Sequence, residues 1–311
     1  MNFLKLIRYQ NLLMLALMQV VFHFGFLKKQ YPDLALADWQ FLLLVLSTVC
    51  IAAGGYLIND VFDKSIDKIN KPDKVIIDKY IPETTAYNYY IVLNVIGIGI
   101  GYYLSDYIGK SSFSGIFILI AATLFLYALS LKKSLLIGNI LIAMILAMSI
   151  LIVGIYDLFS IITPENQQGL GVLFKILMEY AFFAFLIGLI REIIKDFEDI
   201  KGDLEHGVKS LPIVAGEKNS KIILSILLAI AAISLIWYSF VYLFENDLYF
   251  AVLYVFALIL APIIYTLIRL WGSSNKRDYS HLSLVLKGVI LFGILNILVV
   301  VYNIELVKQV A

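Results

Sequence analysis

Runs of about twenty apolar residues, each closed by a polar stretch, recur along the whole chain. A helix of roughly that length crosses the ~30 Å hydrocarbon core of a bilayer. The runs are unbroken rather than alternating, which argues against a β-barrel. Nine spans are predicted, at 11–27, 40–59, 87–104, 112–131, 135–156, 172–194, 221–244, 248–270 and 281–303. Several connections are short and polar, such as Glu245-Asn246-Asp247, whereas residues 60–86 and 195–220 form two long charged loops. No Ser/Gly-rich linker or composition break divides residues 1–311, which read as one all-α, polytopic membrane domain.

Composition sharpens this reading. Hydrophobic residues make up 61% of the chain and charged residues 15%, with a mean hydropathy of +0.91, outside the soluble range. A net charge of +1 gives no sign of a nucleic-acid partner. Cys50 is the single cysteine, so no intrachain disulfide can form. Lys5 and Arg8 before the run Leu12–Leu27 imitate a signal peptide, but no small-x-small cleavage site follows, and a retained first span is expected.

Lysine and arginine placement predicts the orientation. The N-terminus and every second loop after it carry 18 of these residues, the opposite loops carry 5, and Lys287 lies inside the ninth span. The richer side is expected to be cytoplasmic, with both long charged loops facing it and the C-terminus outside.

Candidate chemistry begins where the second span ends. Asn59, Asp63 and Asp67 recur at i, i+4 and i+8, so on a helix they stack in one stripe. An amide oxygen and two carboxylates in a column are hard donors, suited to Mg²⁺ shared with substrate phosphates. Asp196, Asp199 and Asp203 repeat the pattern at i, i+3 and i+7, at the inner end of the sixth span. Gly202 and Gly207 are expected to loosen that helix before Pro212. One column alone reads more readily as a solvated helix end. Two on the same face would repel each other severely in a low-dielectric pocket unless cations lay between them. Divalent ions holding a diphosphate satisfy that requirement, with Lys71, Lys74, Lys132, Lys133 and Lys209 available for the remaining phosphate charge.

These residues resemble a known family. Asn59-Asp60-x-x-Asp63-x-x-x-Asp67 followed by Lys68-Ile69-Asn70-Lys71-Pro72-Asp73-Lys74 resembles the first signature of the UbiA superfamily of intramembrane prenyltransferases. Lys195-Asp196-x-x-Asp199-x-x-Gly202-Asp203-x-x-x-Gly207-x-Lys209-Ser210-Leu211-Pro212 is similar to its second. Arg8-x-x-Asn11 resembles its N-terminal Arg-Pro-x-Asn, with Tyr9 in place of proline, and Tyr127-x-x-x-x-Lys132-Lys133-x-x-x-x-Gly138-Asn139 the segment entering its fifth helix. The resemblance implies nine transmembrane helices around a central cavity under a cytoplasmic cap, and Mg²⁺-dependent transfer of a prenyl group from a prenyl diphosphate. It further implies that Asn59, Asp63, Asp67, Asp196, Asp199 and Asp203 hold metal and diphosphate. Lys132, Lys133, Lys74 and Lys209 would contact diphosphate, Arg8 and Asn11 would lie near acceptor or diphosphate, and Tyr127 would face the allylic cation.

One departure concerns the cap. Where many relatives read Arg-Pro-Ile-Pro-Ser-Gly, this chain has Lys74-Val75-Ile76-Ile77-Asp78-Lys79, without the prolines and the glycine. The wording Ile66-Asp67-Lys68-Ile69-Asn70-Lys71-Pro72 is similar to the branch acting on geranylgeranylglyceryl phosphate, chlorophyllide or homogentisate. A lysine-rich cap suits the phosphate-bearing acceptor, which is the first expectation, followed by an aromatic one. A cation-binding transporter is the alternative from another class, although the acidic residues cluster at one membrane face rather than mid-span. A scaffold that keeps the fold without turnover is a third reading. For His23 and His281 the sequence offers no partner.

Overall fold

The computed structural model describes residues 2–310, including every side chain except those of Lys74 and Val310. Nine long helices carry the fold among the described residues: α1 Tyr9–Gln30, α2 Asp38–Phe62, α3 Glu83–Tyr107, α4 Ser111–Leu129, α5 Ile137–Leu158, α6 Gln167–Glu205, α7 Gly216–Phe244, α8 Tyr249–Gly272 and α9 Lys276–Gln309. Each expected span falls on one of them. Eight are long and apolar enough to cross a membrane. The exception is α3, which has the length but carries tyrosines at 87, 89, 90, 102 and 103 together with Asn88 and Asn94. The sequence count of nine spans is therefore matched by eight on apolarity and nine on length.

The outer surface is what a lipid solvent requires. Large apolar side chains such as Ile268, 71% exposed, point away from the bundle on several helices. Lipid tails provide no hydrophobic drive between helices, so polar ties inside the bundle fix the packing. Gln19 on α1 accepts from Thr48 Oγ1 on α2 at 2.7 Å and donates to the Ser149 carbonyl on α5 at 3.1 Å. One turn further along α1, His23 Nδ1 meets Asp157 Oδ2 of α5 at 2.7 Å, with both side chains fully buried. The His23 ring stacks on Phe41 at 3.6 Å. The partner that the sequence does not reveal for His23 is thus Asp157, 134 residues away in the chain.

Two features extend beyond the membrane helices. At 39 residues, α6 outruns a bilayer crossing by several turns, and its overhang carries Asp196, Asp199 and Asp203. Gly202 does not loosen this helix, which continues to Glu205; the break comes at Gly207, whose φ of +67° closes the C-terminal turn. Beyond α2 a short cap helix, Lys64–Asn70, is followed by a turn at Pro72–Lys74. The altered loop then folds on itself without proline or glycine. Asp78 takes the left-handed conformation at φ +61°, which Asp tolerates better than most residues. Its carboxylate and that of Glu83 hold Lys64 Nζ at 2.6 and 2.7 Å, and Lys64 in turn keeps the Asp78 carboxyl below its ordinary range.

Candidate active site

The first acidic column survives the end of α2. Backbone N–H groups of Asp63, Asp67 and Lys71 donate to the carbonyls of Asn59, Asp63 and Asp67 at 2.8, 2.8 and 2.7 Å. The helical repeat thus runs through the junction into the cap helix and keeps the three side chains in register. Asn59 Nδ2 donates to Asp63 Oδ2 at 2.8 Å. Lys132 Nζ pairs with Asp63 Oδ1, with both side chains largely buried.

The second column is drawn against the first by one asparagine. Asn70, at the end of the cap helix, donates to the Asp199 carbonyl at 3.0 Å and accepts from the Gly202 N–H at 2.8 Å. Only glycine allows this approach, because a Cβ at position 202 would lie 2.6 Å from Asn70 Nδ2. The neighbouring Lys71 Nζ reaches Asp199 Oδ2 at 2.5 Å. Lys276, at the start of α9, donates to the Asn70 carbonyl at 2.5 Å. Asp196 Oδ2 accepts from Asn139 Nδ2 at 3.0 Å.

The segment entering α5 follows the same economy of space. A Cβ at Gly138 would lie 2.9 Å from the Lys132 Cα and 3.1 Å from Tyr127 Cε2, so glycine lets the Leu131–Lys133 turn fold under Tyr127. Lys132 is thereby aimed at Asp63. Lys133 and Lys209 meet through their backbones, Lys209 N to Lys133 O at 3.0 Å, and neither side chain makes an ion pair among the described residues. The side chain of Lys74 lies outside the described ones.

Beneath the columns lies a cavity of about 280 Å³ whose polarity is graded. From Arg8, just before α1, the lining runs through Asn11 to Leu15 and Met18, and on α2 from Asn59 and Tyr56 to Ile51 and Thr48. The cap end is polar, and Phe117, Ile152 and Ile294 close the far end. Of the residues read from sequence, Arg8, Asn11, Asn59 and Tyr127 line it. Arg8 donates to Asp60 Oδ1 at 2.8 Å and lies 4.9 Å over the Tyr56 ring, and Asn11 donates to the Tyr56 hydroxyl at 3.3 Å. Sequence reasoning missed Tyr56, Arg191, Glu192, Lys195 and Lys287, which share the wall. In the sequence Arg191 counts only toward topology, and Lys195 stands in the second signature with no role assigned to it. Lys287, a lone cation inside an apolar span, was the signal that could have found the rest.

The donor set suits a hard divalent cation. Asn59 Oδ1 and Asp199 Oδ1 are buried with no hydrogen-bond partner, an expensive state for oxygen acceptors unless something else takes them. Burial, and then the Asp63 carboxylate, push the Asp67 carboxyl up to about 6. Among the described residues no three acidic, histidine or cysteine side chains converge into a ready metal cage. Mg²⁺ is commonly held by one or two carboxylates and completed by substrate phosphate oxygens.

The sequence profile of the UbiA prenyltransferase family matches residues 16–296. A digeranylgeranylglyceryl phosphate synthase from Saccharolobus solfataricus is 34% identical over 301 residues, which is 94% of this chain and 95% of that one. The chain belongs to the UbiA prenyltransferase family. This UbiA-family prenyltransferase is also similar in fold to a solved digeranylgeranylglyceryl phosphate synthase, with 26% identity over 96% of this chain and 97% of the other and a TM-score of 0.65. A UbiA homolog from Archaeoglobus fulgidus, solved with DMAPP and Mg²⁺, matches 96% of this chain and 99% of its own at a TM-score of 0.59 and 18% identity, a likeness of fold alone.

Proposed function

We propose that this prenyltransferase moves a geranylgeranyl group from its diphosphate to the hydroxyl of geranylgeranylglyceryl phosphate, and that Mg²⁺ is required. The observation that carries the reading is the pair of acidic columns at the mouth of a cavity that turns apolar away from them. The acceptor and the chain length are supported by the synthase name borne by a relative aligned over nearly the whole chain. Asn59, Asp63, Asp67, Asp196, Asp199 and Asp203 are the residues that would hold metal and diphosphate. Mg²⁺, when bound, supplies charge neutralisation of the leaving diphosphate.

The remaining steps belong to the chain's own residues. Lys132 and Lys71 already approach the columns and can exchange a carboxylate for a phosphate oxygen as the substrate arrives. Breaking the allylic C1–O bond releases diphosphate and leaves a carbocation, which the aromatic face of Tyr127, a cavity-lining residue, would stabilise. The apolar wall accepts the isoprenoid tail and keeps water from the cation. The acceptor hydroxyl oxygen then bonds to C1 and its proton passes to the departing diphosphate. The lysine and arginine bias supports a cytoplasmic cap and N-terminus, the side from which a soluble diphosphate arrives, with the C-terminus outside.

The test is direct. Purified protein is incubated with Mg²⁺, labelled geranylgeranyl diphosphate and a panel of lipid-phosphate and aromatic acceptors, and the product is identified by mass. Digeranylgeranylglyceryl phosphate is expected. A prenylated aromatic product, with none from the lipid phosphate, would replace the acceptor assignment.

A further inference from the structure

Cations buried in a membrane helix bundle are costly and are kept where they pair or serve a ligand. Four half-buried cations line the cavity: Arg8 from the N-terminal turn, Arg191 and Lys195 from α6, and Lys287 from α9. Lys287 lies eleven residues inside α9, about 16 Å along the helix from its start. Its Nζ donates to Asn11 Oδ1 at 2.8 Å and has no carboxylate partner among the described residues. Arg191 Nε donates to the Ser283 carbonyl at 3.3 Å, one helical turn before Lys287, so α6 and α9 bring the two cations to one place.

The charges around this shelf do not balance. Glu192 serves both Arg191, at 3.2 Å, and Lys195, at 2.7 Å, and Asp60 serves Arg8 at 2.8 Å. Two carboxylates therefore answer four cations, leaving two positive charges in a cavity with apolar walls. Of the signature carboxylates, Asp63 and Asp199 pair with Lys132 and Lys71, and Asp67, Asp196 and Asp203 form no ion pair with a shelf cation among the described residues. A phosphomonoester carries close to two negative charges at neutral pH, and guanidinium and ammonium groups are its natural donors.

We infer that Arg191, Lys195 and Lys287, with Arg8 and Asn11, form a seat for the acceptor's phosphate, separate from the diphosphate clamp. The inference rests on the phosphate-bearing acceptor proposed above and adds where its head group binds. The shelf shares the cavity wall with Asn59 and Tyr127, so an acceptor anchored there presents its hydroxyl between the shelf and the clamp.

Steady-state kinetics with each substrate varied in turn tests this on the full chain with Mg²⁺. Lys287→Met is expected to raise KM for geranylgeranylglyceryl phosphate about ten- to a hundredfold, the usual consequence of losing a hydrogen bond to a charged group. KM for the prenyl diphosphate should stay within about twofold, and Lys287→Arg should recover most of the acceptor affinity. A rise in the diphosphate KM instead would assign the shelf to the donor, and no change in either would overturn it. A second measurement needs no turnover. Geranylgeranylglyceryl phosphate should raise the melting temperature of the unaltered protein, geranylgeranylglycerol should not, and Lys287→Met should lose the effect. A shift that survives Lys287→Met counts against the shelf, whereas absence of turnover with this acceptor in the unaltered protein counts against the acceptor assignment.

Discussion

Replacing Asp67 by asparagine should stabilise the ligand-free protein while destroying its activity. Burial and the neighbouring Asp63 push the Asp67 carboxyl from 3.8 up to about 6. A hundredfold change in proton affinity corresponds to about 3 kcal/mol against the ionised form, an upper limit for a group that is not fully buried. The sign follows from linkage: a carboxyl raised on folding costs nothing while protonated in both states, and the cost grows as pH climbs from about 4 to about 6. Thermal unfolding in detergent with chelator present should therefore show Asp67→Asn melting several degrees above the unaltered protein at pH 7. The two curves should converge below about pH 4. Adding Mg²⁺ and prenyl diphosphate should invert the order, because ligand at about a thousand times its Kd stabilises the unaltered protein by about 4.1 kcal/mol. An Asp67→Asn variant that melts below the unaltered protein at pH 7, or a gain that persists undiminished at pH 4, would refute the reasoning.

Gly202→Ala would place a Cβ 2.6 Å from Asn70 Nδ2 and should push the cap helix from α6, lowering kcat/KM for the prenyl diphosphate about tenfold or more; unchanged kinetics would mean that the Asn70 bridge is idle. His23→Ala leaves Asp157 buried without a partner and should cost about 3–5 kcal/mol, read as a lowered unfolding midpoint, with turnover per folded molecule preserved. Lys132→Met removes the cation beside Asp63 and should raise KM for the prenyl diphosphate about tenfold while leaving the acceptor KM unmoved. Equal effects on both substrates would count against a diphosphate role.

The helices were legible because a membrane span announces itself by length and apolarity alone. Where α3 mixes tyrosines and asparagines into its run, that signal weakens although the helix forms. The acidic columns were legible for a different reason. Asn59, Asp63 and Asp67 lie within one continuous helical repeat, so spacing fixes their alignment without reference to the rest of the fold. Contacts between distant helices leave no such trace. Nothing local marks Asp157 as the partner of His23, or Gly202 as the space into which Asn70 fits, and glycine in α6 read instead as a breaker. The basic shelf was hidden in the same way. Arg191 resembles a topology marker and Lys195 only the edge of a signature until α9 brings Lys287 to the same wall.

The central claim is that the two columns act together on one metal-bound diphosphate. It is tested most directly by Mg²⁺-dependent transfer from labelled geranylgeranyl diphosphate in Asp63→Asn and Asp199→Asn, one change in each column. Either substitution should abolish transfer in a folded protein, and chelator should abolish it in the unaltered chain. Full activity in both variants, or turnover in chelator, would contradict it.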